Sequence, residues 1–161
     1  SEAQVRLHRL DLAALARDVA REWTPRALAV GLDLGFEGEQ HLHIDGDELQ
    51  LREAMANLID NALRYAGKGN TLTIRVTQSG AAAHLEFEDN GPGLSADELT
   101  HVFQRFWRAS NEPGGCGLGL AIVREIAHRH GGEAHVKAEE PHGLCIDIVL
   151  PLAGSTRLGP P

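Results

Sequence analysis

The sequence predicts an α/β fold in one domain, and three observations predict it. Apolar residues recur at helical spacing in three stretches, over residues 12–23, over a segment ending near Ala66, and over residues 118–130. Residues 71–77 and 83–88 instead alternate apolar and polar side chains with a period of two, the pattern of half-buried strands. A length of 161 residues with 42% hydrophobic content suffices for one compact core. Aromatics make up only 4%, so that core must be built from Leu, Ile, Val and Ala.

Taken in order, Asp11 can cap a helix whose apolar positions are Leu12, Leu15, Val19 and Trp23. Pro25 is expected to bend or interrupt its last part, and Gly31 follows. Short strands are expected at residues 32–36 and 41–44. Asp45, with Glu48 three residues later, then reads as the start of a long helix reaching Ala66. Residues 71–77 and 83–88 form antiparallel strands around a turn near Ser79-Gly80, and residues 89–93 form a further turn. Ser95 and Glu98 make a capping box for a short helix with Leu99, Val102, Phe103 and Phe106 on its apolar stripe. Residues 109–117 are loop-like, the helix over 118–130 ends at Gly131-Gly132, and residues 134–138 and 144–150 close the domain as strands. Residues 1–10 are an amphipathic stretch, and residues 153–161 read as a disordered tail.

A net charge of −8 speaks against a nucleic-acid or anionic-membrane surface, although local arginines and backbone amides can still hold a phosphate. Cys116 and Cys145 form no CxxC pair, which points to a reduced, intracellular location and leaves a bridge between them open. His41/His43 and His128/His130 have no cysteine or carboxylate partners at ligand spacing and read as surface histidines rather than zinc ligands. No apolar run approaches the ~20 residues that cross a bilayer, and no signal-peptide pattern is present.

The helix over residues 53–66 carries unusual chemistry. At about 100° per residue, Asn57, Asn61, Arg64 and Tyr65 share one stripe, opposite Met55, Leu58, Ile59, Ala62 and Ala66. One reading is a solvated polar face. The other is a wall for a magnesium-nucleotide, since an Asn amide oxygen is a hard ligand that adds no charge to an ion already neutralised by phosphates. Arg64 would then pair with phosphate and Tyr65 pack on adenosine.

Asp89-Asn90-Gly91-Pro92-Gly93 is either a plain turn or the end of a strand whose carboxylate accepts from an adenine amino group. Guanine presents a carbonyl oxygen at that point and would be rejected. Residues 114–120, GGCGLGL, lead into a helix whose first amides point at anions. They are not a Rossmann fingerprint, because no strand precedes them, nor a Walker A loop, because no Lys-Ser/Thr follows. In residues 103–108, FQRFWR, Arg105 and Arg108 lie three apart. They are either surface arginines on a core-packing helix or a phosphate clamp beside a mobile lid over 109–116.

In order, NLIDNALRYA, DNGPG, FQRFWR and GGCGLGLAIV resemble the N, G1, F and G2 boxes of sensor histidine kinases of two-component systems, in their catalytic ATP-binding GHKL domain. The ending GLCIDIVLP resembles the family's last strand, and the likeness spans residues 10–152. The resemblance implies a Bergerat-type two-layer α/β sandwich, a mixed sheet with helices on one face. It implies ATP and Mg²⁺ as cofactors, Asn61 as the metal ligand with Asn57 beside it, and Asp89 as the adenine-specifying carboxylate. Gly91 and Gly93 would shape that pocket, and Arg64, Tyr65 and Arg108 would contact nucleotide, with Arg105 beside them in the clamp. Gly115, Gly117 and Gly119, with Leu118 and Leu120, would hold the lid hinge and phosphates. Cys116 stands where the family more often has Ser or Thr, and Leu144 lies near the expected adenine where some members have Thr.

ATPases that share the fold resemble one another in placing a Glu four residues before the metal Asn. Asn57 holds that place here and is a poor general base, which favours transfer to histidine over hydrolysis. No His-Glu-x-x-Thr/Asn-Pro pattern is present, and His8 lacks the following acid and proline. The resemblance therefore implies a catalytic domain over residues 11–152 that serves a histidine on a separate dimerisation domain, with residues 1–10 ending the linker to it. A response regulator receiver domain would be the next partner. Further expectations are a monomeric fragment of a homodimeric parent, no nucleic-acid partner, and a cytoplasmic position below a membrane anchor. The alternatives are a self-contained GHKL-type ATPase and a non-catalytic docking module.

Overall fold

The computed structural model describes residues 5–107 and 119–155. The elements run β1 (His8–Asp11), α1 (Leu12–Ala29), β2 (Asp33–Gly38), β3 (His43–Gly46), α2 (Glu48–Tyr65), β4 (Thr71–Ser79), β5 (Ala82–Asp89), α3 (Ala96–Leu99), α4 (Leu120–Arg129), β6 (Glu133–Ala138) and β7 (Leu144–Pro151). Five strands make one sheet in the order β2-β4-β5-β7-β6, in which β2 and β4 are parallel and the other neighbours antiparallel. The fold is thus α/β with a mixed sheet.

The period of two divides that sheet into unlike faces. Leu72, Ile74, Val76, Ala83, Leu85, Phe87, Ile146, Ile148 and Leu150 share one phase and are buried. The opposite phase carries Arg75 in ion pairs with Glu37 and Glu88, and His84 hydrogen-bonded to Asp147. The helices cover the apolar face in strand order. α1 lies on β2 and β4, α2 on β5, and α4 on β6 and β7, with α2 between the other two helices. Leu51, Met55 and Ile59 of α2 are fully buried there, and each such side chain contributes about 1.5–3 kcal/mol.

Asp11 caps α1 by accepting from the Ala14 N–H at 3.2 Å. The same carboxylate accepts from the Leu42 N–H at 3.0 Å and meets His41 Nδ1 at 2.7 Å, tying the helix start to the approach to β3. Burial pushes this carboxyl up, but those backbone donors and His41 outweigh it and hold the pKa at about 2, against 3.8. Asp11→Ala is expected to lower folding stability by about 2 kcal/mol in urea unfolding, since a cap and a second backbone bond go together. The folded pKa lies below the unfolded one. The contribution is therefore complete above pH 3.8 and lost as pH falls towards 2. A wild-type minus variant difference that stays flat across that window would rule the mechanism out.

Four details differ from expectation. α1 continues through Pro25 to Ala29, where Ala27 is buried and Arg26 stacks on Trp23 at 4.4 Å, so packing outweighs one missing backbone bond. Asp47, not Asp45, caps α2, accepting from Gln50 N at 3.1 Å, while Asp45 stays in β3 and accepts from Gly154 N. α3 ends at Leu99, and Phe106, at φ 65° and 97% exposed, is not on its apolar side. His130 is buried rather than on the surface.

β1 is an element absent from the sequence reading. It pairs antiparallel with β3, so His8–Asp11 belong to the folded body. Beyond β7, the Ala153 N–H donates to the His43 carbonyl and Gly154 to Asp45, so the expected tail is docked over its first residues. Among the described residues no helix is long and apolar enough to cross a membrane.

Candidate nucleotide site

The inward phase of β5 runs Ala83, Leu85, Phe87, Asp89. The last member is a carboxylate pointing where its predecessors are apolar, flanked in register by Leu72 of β4 and Leu144 of β7. Across from it, α2 presents Leu58, Asn61, Ala62 and Tyr65. Together with Phe87, Ile146 and Leu120 at the start of α4, these residues line one cleft. Its walls are apolar apart from Asp89, the Asn61 amide and the Tyr65 ring, the makeup of a site that buries a flat organic group and orients it at few points.

Burial raises the Asp89 pKa. The backbone N–H groups of Gly91 and Leu144 oppose that shift, and neighbouring Glu88 adds to it. The Gly91 N–H lies 2.9 Å from Oδ1. The loop after Asp89 is also fixed sterically. A Cβ at Gly91 would stand 2.6 Å from Ala66 Cα, so only glycine lets the loop lie against the end of α2. Asn90 Oδ1 accepts from Thr71 N at 2.7 Å and ties the loop to the start of β4.

Asn57 lies outside the cleft lining and faces the first residue before α4. Gly119 has φ 65°, and a Cβ there would be 3.1 Å from Asn57 Oδ1. The N-terminus of α4 therefore abuts α2 beside the cleft, and its first residue, Leu120, lines it. Arg64 is on the exposed side of α2 with its Nε 2.9 Å from Asp60 Oδ2, a solvent-exposed pair worth little. Arg105 lines a different, open depression with Phe103, Arg124 and Arg129. Arg108, Gly115, Gly117 and Leu118 lie outside the described residues, as does Cys116.

Asn61, Tyr65, Asp89 and Leu120 are therefore brought to one cleft, with Leu144 beside Asp89 and Gly91 and Gly93 in the loop below it. Leu58 and Ala62, expected on the side opposite Asn61 and Tyr65, line the same cleft, because Leu58 is only about 60° from Asn61 around the helix. The sequence reading missed Leu72, Phe87 and Ile146. Their signal was strand phase, because each shares the inward face with Asp89. Among the described residues no three His, Cys, Asp or Glu side chains cluster to hold a metal. The polar side chains of the cleft lining are one carboxylate, one amide and one phenol, a set that suits an ion carried by a phosphate ligand better than a free ion.

Residues 46–154 match the family described as histidine kinase-, DNA gyrase B-, and HSP90-like ATPase. The sensor protein kinase PmrB of Pseudomonas aeruginosa is 36% identical over 96% of this chain and 33% of its own length. Among solved structures, the mycobacterial sensor histidine kinase MprB is 29% identical with TM-score 0.79, covering 91% of this chain and 99% of that one. Full-length ShkA in complex with AMPPNP is 26% identical with TM-score 0.82, over 98% of this chain and 34% of that one. The chain spans about a quarter to a third of the length of the curated relatives it matches.

Proposed function

The chain belongs to the histidine kinase-, DNA gyrase B-, and HSP90-like ATPase family, and from that premise we propose that it binds MgATP and presents the γ-phosphoryl group to a histidine on a separate dimerisation domain. The observation that carries the reading is the half-buried Asp89 carboxylate at the end of an otherwise apolar inward phase, in one cleft with Asn61 and Tyr65.

In this reading Asp89 accepts from the adenine 6-amino group, and Leu72, Phe87, Leu144 and Ile146 exclude water from the ring. Asn61 supplies an amide oxygen to Mg²⁺, which screens phosphate charge when bound. Asn57 stands beside it against Gly119, and the first amides of α4, including that of Leu120, face the phosphates. Arg64 would leave Asp60 to reach phosphate, and Tyr65 packs on adenosine. Gly93 shapes the adenine loop. Arg105 and Arg108 would serve as a phosphate clamp, with Gly115, Gly117 and Leu118 in the lid hinge. Histidine is already a capable nucleophile, so the work of this domain is positioning and charge screening.

The parent would be a longer, homodimeric sensor anchored in a membrane with this domain on its cytoplasmic side, passing the phosphoryl group to a response regulator receiver domain. AMPPNP in the related ShkA structure supports the nucleotide class.

Labelled ATP mixed with this chain and a histidine-bearing dimerisation domain is expected to leave acid-labile phosphate on that domain. Steady phosphate release by the chain alone, with none transferred, would favour the hydrolase reading instead.

A further inference from the structure

Asp89 is held by more than its own strand. The short connection between β6 and β7 packs on the loop that follows Asp89, backbone against backbone. A Cβ at Gly143 would come 2.1 Å from the Asp89 carbonyl oxygen, and one at Gly93 would come 2.7 Å from the Gly143 carbonyl oxygen. Neither approach leaves room for a side chain.

One side chain does cross this joint. His142 Nδ1 lies 2.9 Å from the Gly91 carbonyl oxygen. A carbonyl only accepts, so Nδ1 carries the proton and donates. On the other side of the same α-carbon, the Gly91 N–H donates to Asp89 Oδ1 at 2.9 Å. His142 thus grips the residue that grips the carboxylate, yet it does not line the cleft itself.

We propose that His142 is a positioning residue for adenine recognition: its bond to the Gly91 carbonyl fixes the orientation of Gly91 and, through the Gly91 N–H, aims the Asp89 carboxylate at the purine edge. The proposal rests on the adenine role given to Asp89 above. It requires a donor at one point and no charge, because the neutral Nδ1–H tautomer and the imidazolium both supply that donor. An asparagine at the same place carries its Nδ2 donor at nearly the same distance from the backbone.

The test is calorimetric titration of the chain with Mg²⁺ and either ATP or the triphosphate of unsubstituted purine riboside, which lacks the 6-amino group. His142→Ala is expected to raise the Kd for ATP roughly three- to tenfold, the worth of one lost hydrogen bond. The Kd for the desamino analogue should stay where it is, and His142→Asn should restore ATP binding. Unchanged ATP affinity in His142→Ala, or equal weakening of both nucleotides, overturns the proposal. Wild-type protein that binds the two nucleotides equally removes the adenine role of Asp89 first, and the role of His142 with it.

Discussion

Asp89→Asn is expected to weaken MgATP binding by about 1.5–3 kcal/mol, or roughly 10- to 150-fold, because a charge-assisted hydrogen bond to the adenine amino group is lost. The substitution keeps the shape of the side chain but replaces an acceptor oxygen with a donor. Folding should not suffer in parallel. Burial already disfavours the ionised carboxyl in the free domain, as its raised pKa records, and a neutral amide relieves that cost.

Affinity lost without a lower melting temperature is therefore the signature, read by calorimetry beside thermal unfolding. Acid should reproduce it. The wild-type advantage over Asp89→Asn exists while the carboxylate is ionised and fades as pH falls through its folded pKa, which lies above the usual 3.8. Equal affinities for the two proteins at neutral pH would take Asp89 out of the site.

Asn61→Ala is the second large effect. The variant should bind ATP with no response to added Mg²⁺. With a histidine-bearing domain supplied, its transfer rate should drop about 100-fold or more, the scale seen when a charge-stabilising contact is removed. Asn61 lines the cleft on α2, whose core side is held by Leu58, Ile59 and Ala62, so truncating a half-exposed amide leaves the helix packed. A variant whose ATP affinity still rises with Mg²⁺ would place the metal on other ligands.

Much of this site was legible because it repeats the rules that build the fold. The stripe carrying Asn61 and Tyr65 follows from helical period, and Asp89 ends a strand whose alternation can be counted. The cleft walls Leu72, Phe87 and Ile146 were harder to see. They come from three strands whose register is a tertiary fact, although each strand was itself predicted.

The misplaced cap of α2 shows a second limit. Asp45 followed by Glu48 and Asp47 followed by Gln50 have the same spacing, and pairing of Asp45 with Arg9 in β1 decides between them. β1 itself is four residues long and polar on its exposed side, too short for period to declare it. The burial of His130 is not visible in the sequence because the group that occupies its Nε2, the Asp47 N–H, lies 83 residues away.

That histidine has a mechanical consequence for the cleft. Its Nδ1 donates to the Ile126 carbonyl at 2.8 Å while Nε2 accepts from the Asp47 N–H at 3.0 Å. One neutral ring therefore rivets the C-terminus of α4 to the N-terminus of α2. At 1.5 Å per residue, Asn61 lies about 20 Å along α2 from that rivet. At the cleft end, Leu58 of α2 and Leu120 of α4 both line its apolar wall. Arg129 Nη1, 3.5 Å from Gln50 Oε1, adds a second link at the same end, and a turn of about 5° between the helices there would change their separation by nearly 2 Å over that length.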